Sequence, residues 1–137
     1  MSSAAWYRIA ADVLAAIHAG LVLFALIGLA VIWIGLWRRW PIARNWWFRA
    51  AHLGYCAVVA LLAASGTLCP LTVWEVRLRQ AAGEETYPGA FVGEWIRRLL
   101  YVEVSEDLLA AAYVAFALLV LATWLLWPPE RHARKRG

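Results

Sequence analysis

Three long runs without a charged residue constrain this chain more than any other feature of its sequence. They extend from Val13 to Trp37, from Ala50 to Trp74 and from Leu108 to Trp127. A bilayer core about 30 Å thick is crossed by roughly 20 helical residues at about 1.5 Å each. Each run is therefore long enough to form a membrane-spanning helix, and the first is too long for the apolar region of a signal peptide.

Prolines set the ends of two of these runs. Because the residue before a proline is disfavoured in helical geometry, the second span should end near Leu68, ahead of Cys69-Pro70. Pro128-Pro129 stops the third span, since neither residue can donate a helical hydrogen bond. The sequence predicts one membrane domain over 1–137, with spans at about 10–37, 50–68 and 107–127, an outer amphipathic segment at 69–106 and a basic tail at 130–137.

The composition excludes an ordinary soluble globule. Hydrophobic residues make up 64% of the chain and charged residues only 16%, against about 25% charged in soluble domains. The ten Trp are typical of chains that cross from lipid to water. The formal net charge of +4 lies on loops beside the spans, so lipid headgroups and not nucleic acid are the predicted partners. The predicted fold is an all-α membrane protein.

The distribution of charge between the loops predicts the orientation. Residues 38–49 carry four Arg and no acid, whereas residues 72–107 carry four Arg and seven acids. Basic loops are retained on the cytoplasmic side, so the N-terminus is expected outside and the C-terminus in the cytoplasm. The residues expected to contact lipid headgroups are Arg38, Arg39, Arg44, Arg49, Arg131, Arg134, Lys135 and Arg136.

The outer segment is predicted to form two short amphipathic helices at the membrane interface. Thr72 and Glu75 have the spacing of a capping box, which would start the first helix at Thr72. Glu75 and Arg79 are placed to pair at i, i+4, and Gly83 is placed to end that helix.

The second helix is predicted from an apolar residue every three or four positions. These residues are Phe91, Trp95, Leu99 and Val102, with charged side chains on the opposite face. Ser105 then has a hydroxyl suited to cap the third span. The architecture predicted is three transmembrane helices with these two helices between the second and third.

A set of separated positions resembles the signature of a family of small bacterial membrane proteins, domain of unknown function 2784. The resemblance covers roughly residues 7 to 127 and includes Asp12, His18 and His52. The motif residues are Cys69, Pro70, Leu71, Thr72, Glu75, Arg77, Leu78, Arg79, Gly83, Tyr87, Gly89 and Phe91. Val76 and Val102 depart from the family pattern, which usually has Asn and Pro there. The resemblance implies a bacterial inner-membrane protein without an assigned activity.

Ligand-type side chains occur near both ends of the predicted bundle. Asp12, His18, Cys69 and Glu75 are all expected toward the outer side, where they could converge on a metal or where His18 could ligate a cofactor. His52 and Cys56 lie four residues apart on one helix face and are secondary candidates. For each of these residues, a packing or capping role is the alternative interpretation.

Three functional hypotheses follow. The leading one is a non-catalytic accessory or structural subunit that packs in a homo- or hetero-oligomeric membrane complex, because the sequence carries no recognisable catalytic motif. The second is a redox-associated protein that binds haem, a chlorophyll-type pigment or a metal through His18 and the Cys69 region. The third is a small oligomeric pore. No catalytic residue is predicted, and enzymatic activity and the cofactor are left open.

Overall fold

A computed structural model describes residues 2–86 and 91–131, and the chain is helical through most of these ranges. The helices are α1 (Ser3–Arg38), α2 (Pro41–Arg44), α3 (Trp46–Ala64), α4 (Pro70–Ala81), α5 (Phe91–Leu100) and α6 (Glu106–Leu126). No strand occurs within the ranges described. Helices α1, α3 and α6 are long and apolar enough to cross a membrane, which confirms an all-α fold with three candidate spans.

The ends of the spans differ from the prediction where local capping decides them. Helix α1 begins at Ser3, because the Ser2 side chain accepts a hydrogen bond from the amide of Ala5. Helix α3 ends at Ala64, four residues before the predicted end, and Gly66 follows with a φ of 72°. The helix therefore ends in a glycine turn and does not continue to the proline.

Helices α1 and α3 are connected through α2, and α1 has a glycine where α3 approaches it and another where α2 approaches it. A Cβ added to Gly28 would lie 2.5 Å from His52 Cδ2, and one added to Gly35 would lie 2.5 Å from Ala43 Cβ. The close approach brings His52 Nε2 to 2.8 Å from the Ala25 carbonyl. Because a carbonyl only accepts, Nε2 carries the proton of this imidazole.

Helix α6 packs along α3 and closes the bundle against α1. Leu29, Cys56 and Val120, one residue from each helix, form the buried apolar core among the described residues. Trp33 Nε1 also donates to Thr123 Oγ1 at 3.1 Å, which joins α1 to α6. The three spans thus share one contact region, where Trp33 and Thr123 satisfy each other inside the protein.

Helix α4 lies antiparallel to the first half of α1. His18 is near Thr72, while Asp12 and Arg8, about two and three turns earlier in α1, pair with the end of α4 and the residues after it. Helix α5 begins beside the same part of α1, where the Phe91 ring stacks on His18 with 4.2 Å between centroids. We call this end of the bundle the α4 end and the opposite end the α2 end.

The start of α4 differs from the predicted capping box. The helix begins at Pro70, and Thr72 is a buried residue within its first turn. Proline is suited to the first helical position, because its φ is already helical and no amide donor is needed there. It therefore starts the helix two residues earlier than Thr72 would. Two other predicted boundaries agree with the structure. Gly83, with a φ of 76°, follows the end of α4, and Ser105 caps the start of α6.

Candidate functional site

The α4 end is held together by one arginine that contacts three carboxylates. Arg79 donates from Nε to Glu75 at 2.9 Å, from Nη1 to Glu84 at 3.0 Å and from Nη2 to Asp12 at 3.0 Å. Each guanidinium nitrogen thus meets a different acid, and the contacts join α1, α4 and the residues after α4. The Glu75–Arg79 pair confirms the spacing predicted from the sequence.

A second ion pair reinforces the contact between α1 and the residues after α4. Arg8 Nε lies 2.6 Å from Glu84 Oε1, so Glu84 is shared between Arg8 and Arg79. Burial alone would lower the pKa of Arg79, but its hydrogen bonds to Glu75, Glu84 and Asp12 raise that pKa above its ordinary value. Arg79 is therefore a cation throughout the physiological pH range.

Helix α5 carries a separate ion-pair group around Glu94. Arg97 Nη2 and Arg98 Nε both approach Glu94 Oε1 at 2.7 Å, and Glu94 is buried. The hydrogen bond from Arg97 is the largest influence on Glu94, and with Arg98 it outweighs burial and lowers the pKa from 4.5 to about 2. Glu94 is consequently ionised throughout the physiological range.

A cavity of about 280 Å³ lies between α1, α4 and α5. Its walls combine charged groups of both signs with the aromatic side chains of Phe91 and Trp95. We call the charged residues that line the cavity or pair with its walls the charged network. It consists of Arg8, Asp12, Glu75, Arg79, Glu84, Glu85, Glu94, Arg97 and Arg98.

His18 borders this region but takes part in packing. It is buried, its ring stacks on Phe91, and its Nδ1 lies 3.5 Å from Thr72 Oγ1. Cys69 is a half-buried free thiol at the start of α4. In the ranges that the structure describes, no three His, Cys, Asp or Glu side chains are placed to hold a metal ion. Asp12 and Glu75 both pair with Arg79, which compensates their negative charge.

His52 and Cys56 are buried in the bundle and lie on one face of α3, as their spacing of four residues predicts. Cys56 Sγ is 4.0 Å from His52 Nε2, and Cys56 belongs to the apolar core. His52 Nδ1 is buried without a hydrogen-bond partner among the residues described. Phe24 packs edge-on against the imidazole with 5.4 Å between centroids. The surroundings of His52 are therefore mainly aromatic and apolar.

The α2 end requires a correction, because Arg49 does not face lipid headgroups. It is only 2% exposed, and it donates to the carbonyl oxygens of Trp127 and of Thr123, the latter at 3.0 Å. Its guanidinium also lies 5.6 Å from the Trp124 ring centroid. Trp127 is the C-cap of α6, and the Thr123 carbonyl, which also accepts from the Trp127 amide, lies in its last turn. Both carbonyls are at the negative end of the helix dipole, so a buried cation is stabilised there.

The other predicted headgroup residues of the α2 end are exposed where the structure describes them. Arg38 and Arg39 project at the end of α1, and Arg44 pairs with Glu130 at 2.6 Å. Arg131 lies over the Trp46 ring. Arg134, Lys135 and Arg136 lie outside the described residues, as do Tyr87 and Gly89 of the predicted motif.

Glu84, Glu94 and Arg98 are functional candidates that the sequence interpretation did not single out. The spacing of Glu94 to Arg97 and Arg98, three and four residues on, was a visible signal for the ion pairs of α5. No comparable signal marked Glu84, because its partners Arg8 and Arg79 come together only when α4 folds back along α1.

The pKa of Glu94 predicts an acid-sensitive contribution to stability. A carboxylate with a lowered pKa stabilises the fold fully above pH 4.5, and this contribution is lost as the pH falls toward about 2. We expect Glu94→Gln to lower the melting temperature of detergent-solubilised protein at pH 6. We also expect this variant to lose less stability than the wild type between pH 5 and about pH 2.

Glu103→Gln, which changes an exposed acid after α5, is the matched control and should retain the pH dependence of the wild type. Melting curves of the wild type and Glu94→Gln that decline in parallel with acidification would contradict the prediction.

Comparison with known proteins yields one family match. The model of the family described as "Protein of Unknown function (DUF2784)" matches residues 8–129. No curated protein matches the chain. No solved structure matches it. The family match includes α1 from Arg8 onward, the charged network and all of α6. Because it covers nearly the whole chain, the protein belongs to the DUF2784 family.

Proposed function

We propose that the protein is a non-catalytic membrane subunit that associates laterally with another membrane protein through one face of α1. This face consists of Trp6, Ile9, Val13 and Ile17, which are between 45% and 58% exposed. They recur every three or four residues and therefore form one stripe along the helix. Helix α4 covers the opposite side of α1 and leaves this stripe uncovered.

The length of α1 is the observation that carries the proposal. Its 36 residues correspond to about 54 Å of helix, whereas a bilayer core is about 30 Å thick. Counted from the Arg pair at the α2 end, a helix along the membrane normal leaves the core roughly 20 residues earlier, near His18. Trp6, Ile9 and Val13 would then lie beyond the acyl chains, where a neighbouring protein can cover them.

Small residues beside the stripe support a helical partner. Ala16 and Gly20 are exposed, and a Cβ added to Gly20 would have no other group within 4 Å. Small residues four apart let a second helix approach the backbone closely. Close packing along Ala16 and Gly20 would bring that helix alongside Ile9 and Val13.

Photo-crosslinking in native membranes tests the proposal. A photoreactive amino acid at Ile9 or Val13 should give discrete adducts with polypeptide, because a partner helix covers these positions. The matched control is Leu118, an exposed residue within α6, which should react with lipid alone. A tilted α1 can also bury the stripe in lipid. Lipid adducts alone at Ile9 and Val13 would therefore contradict lateral association.

We also propose that the protein resides in a bacterial cytoplasmic membrane with the α2 end in the cytoplasm. The support is the concentration of arginine at this end, where Arg38, Arg39 and Arg44 project. Positively charged loops of this length are retained on the cytoplasmic side. The charged network, which has more acids than bases, would then face the outside.

Accessibility labelling tests this orientation. In a variant without Cys69, we expect Thr67→Cys, in the link before α4, to react with an impermeant maleimide in intact cells. Arg39→Cys should react only after the membrane is permeabilised. Both positions are exposed, and Cys56 is buried and contributes little background. The reverse labelling pattern would refute the orientation without affecting the proposed association.

A further inference from the structure

The charged network contains one more negative than positive group. Its five carboxylates face four guanidinium groups, and the charges of Asp12, Glu75, Glu84 and Glu94 are all engaged by arginine. Glu85 forms no ion pair with any residue that the structure describes, and it lines the cavity. A cavity wall with an uncompensated carboxylate favours a cation.

The same cavity offers a group that binds anions. Arg98 lines it and uses Nε for Glu94, and its side chain is 56% exposed. A guanidinium directs its donors in a planar fork, so the outer nitrogens of Arg98 suit a phosphate. Trp95, which is 44% exposed, adds an aromatic side chain against which an ammonium group is stabilised, whereas Phe91 is buried and stacks on His18. The cavity thus combines sites for an ammonium and for a nearby phosphate.

The cavity lies level with an end of the membrane spans. Phe91 at the start of α5 stacks on His18 of α1, and a Cβ added to Gly93 would lie 2.9 Å from Leu109 Cδ1 in the first turn of α6. Leu99 and Leu100, which follow Arg98, are 69% and 67% exposed. A headgroup in the cavity would therefore have apolar side chains next to it on which its acyl chains could lie.

We propose that this cavity binds a primary ammonium group linked to a phosphate, as in the headgroup of phosphatidylethanolamine. The ammonium donates to Glu85 beside Trp95, and the phosphate accepts from Arg98. The position of the cavity, level with an end of the membrane spans, favours a membrane lipid as the source of this group. Soluble phosphoethanolamine carries the same ammonium and phosphate. This site is independent of the exposed face of α1, so either proposal can fail alone.

Native mass spectrometry of the protein released from lipid nanodiscs tests the proposal. The nanodiscs contain phosphatidylglycerol with a minor fraction of phosphatidylethanolamine, and retained phosphatidylethanolamine is measured. Glu85→Gln removes the charge without breaking a described ion pair. It should lower retention about tenfold, the effect of losing one charge-assisted hydrogen bond. Glu103→Gln changes an acid outside the cavity and should retain the lipid like the wild type.

Two further arms define the ligand. Phosphatidylcholine should be retained about tenfold less than phosphatidylethanolamine, because its quaternary ammonium cannot donate a hydrogen bond to Glu85. Soluble phosphoethanolamine, titrated into protein in detergent, should raise the melting temperature of the wild type less than the lipid does. A larger rise with the soluble compound would support the same site with a soluble ligand. Equal lipid retention by the wild type and Glu85→Gln, with circular dichroism showing both folded, would overturn the proposal.

Discussion

The fold depends on pairing the buried charge of Arg49 at the end of a membrane-spanning helix. Because Arg49 is buried and cannot reach headgroups or water, the protein itself must supply its hydrogen-bond acceptors. The carbonyl oxygens of Thr123 and Trp127 accept hydrogen bonds from Arg49, and the Trp124 ring packs against its guanidinium. Because these carbonyls belong to the last turn of α6, the contact fixes how α3 and α6 lie alongside each other. The α1 contact from Trp33 to Thr123 uses the same turn.

At the α4 end an arginine is also paired within the protein, but its partners are carboxylate side chains and not backbone carbonyls. Arg79 contacts three carboxylates from different parts of the chain and thereby holds α4 along α1. Its Glu75 partner is buried, so the pair is less screened by solvent than an exposed one. The cavity lies beside this arrangement, and Glu94 and Arg98 of α5, which pair with each other, form part of its wall. Both ends are therefore organised by arginine in different environments.

Periodicity and charge predict most of the helices, because each of these signals is local. The three spans, the amphipathic α5 and the Glu75–Arg79 pair all depend on residues close in sequence. The role of Arg49 does not follow from the sequence, because an arginine beside a span is equally suited to a lipid headgroup. Whether Arg49 reaches a headgroup or is buried depends on the packing of α6, whose Thr123 lies 74 residues later in the chain. The spacing of Thr72 to Glu75 predicts a cap at Thr72, but Pro70 starts the helix two residues earlier.

The most direct test of this account is the unfolding free energy of Arg49→Met in a lipid bilayer, compared with Arg44→Met. Arg49→Met removes the hydrogen bonds that the Arg49 cation donates to two backbone carbonyls. Each such hydrogen bond is worth about 1.5–3 kcal/mol. Loss of Arg44 breaks an exposed pair with Glu130, worth about 0.2–1 kcal/mol. The account predicts that Arg49→Met is destabilised by at least about 1.5 kcal/mol and that Arg44→Met changes by less than about 1 kcal/mol. Equal effects of the two substitutions would contradict a bundle organised around Arg49.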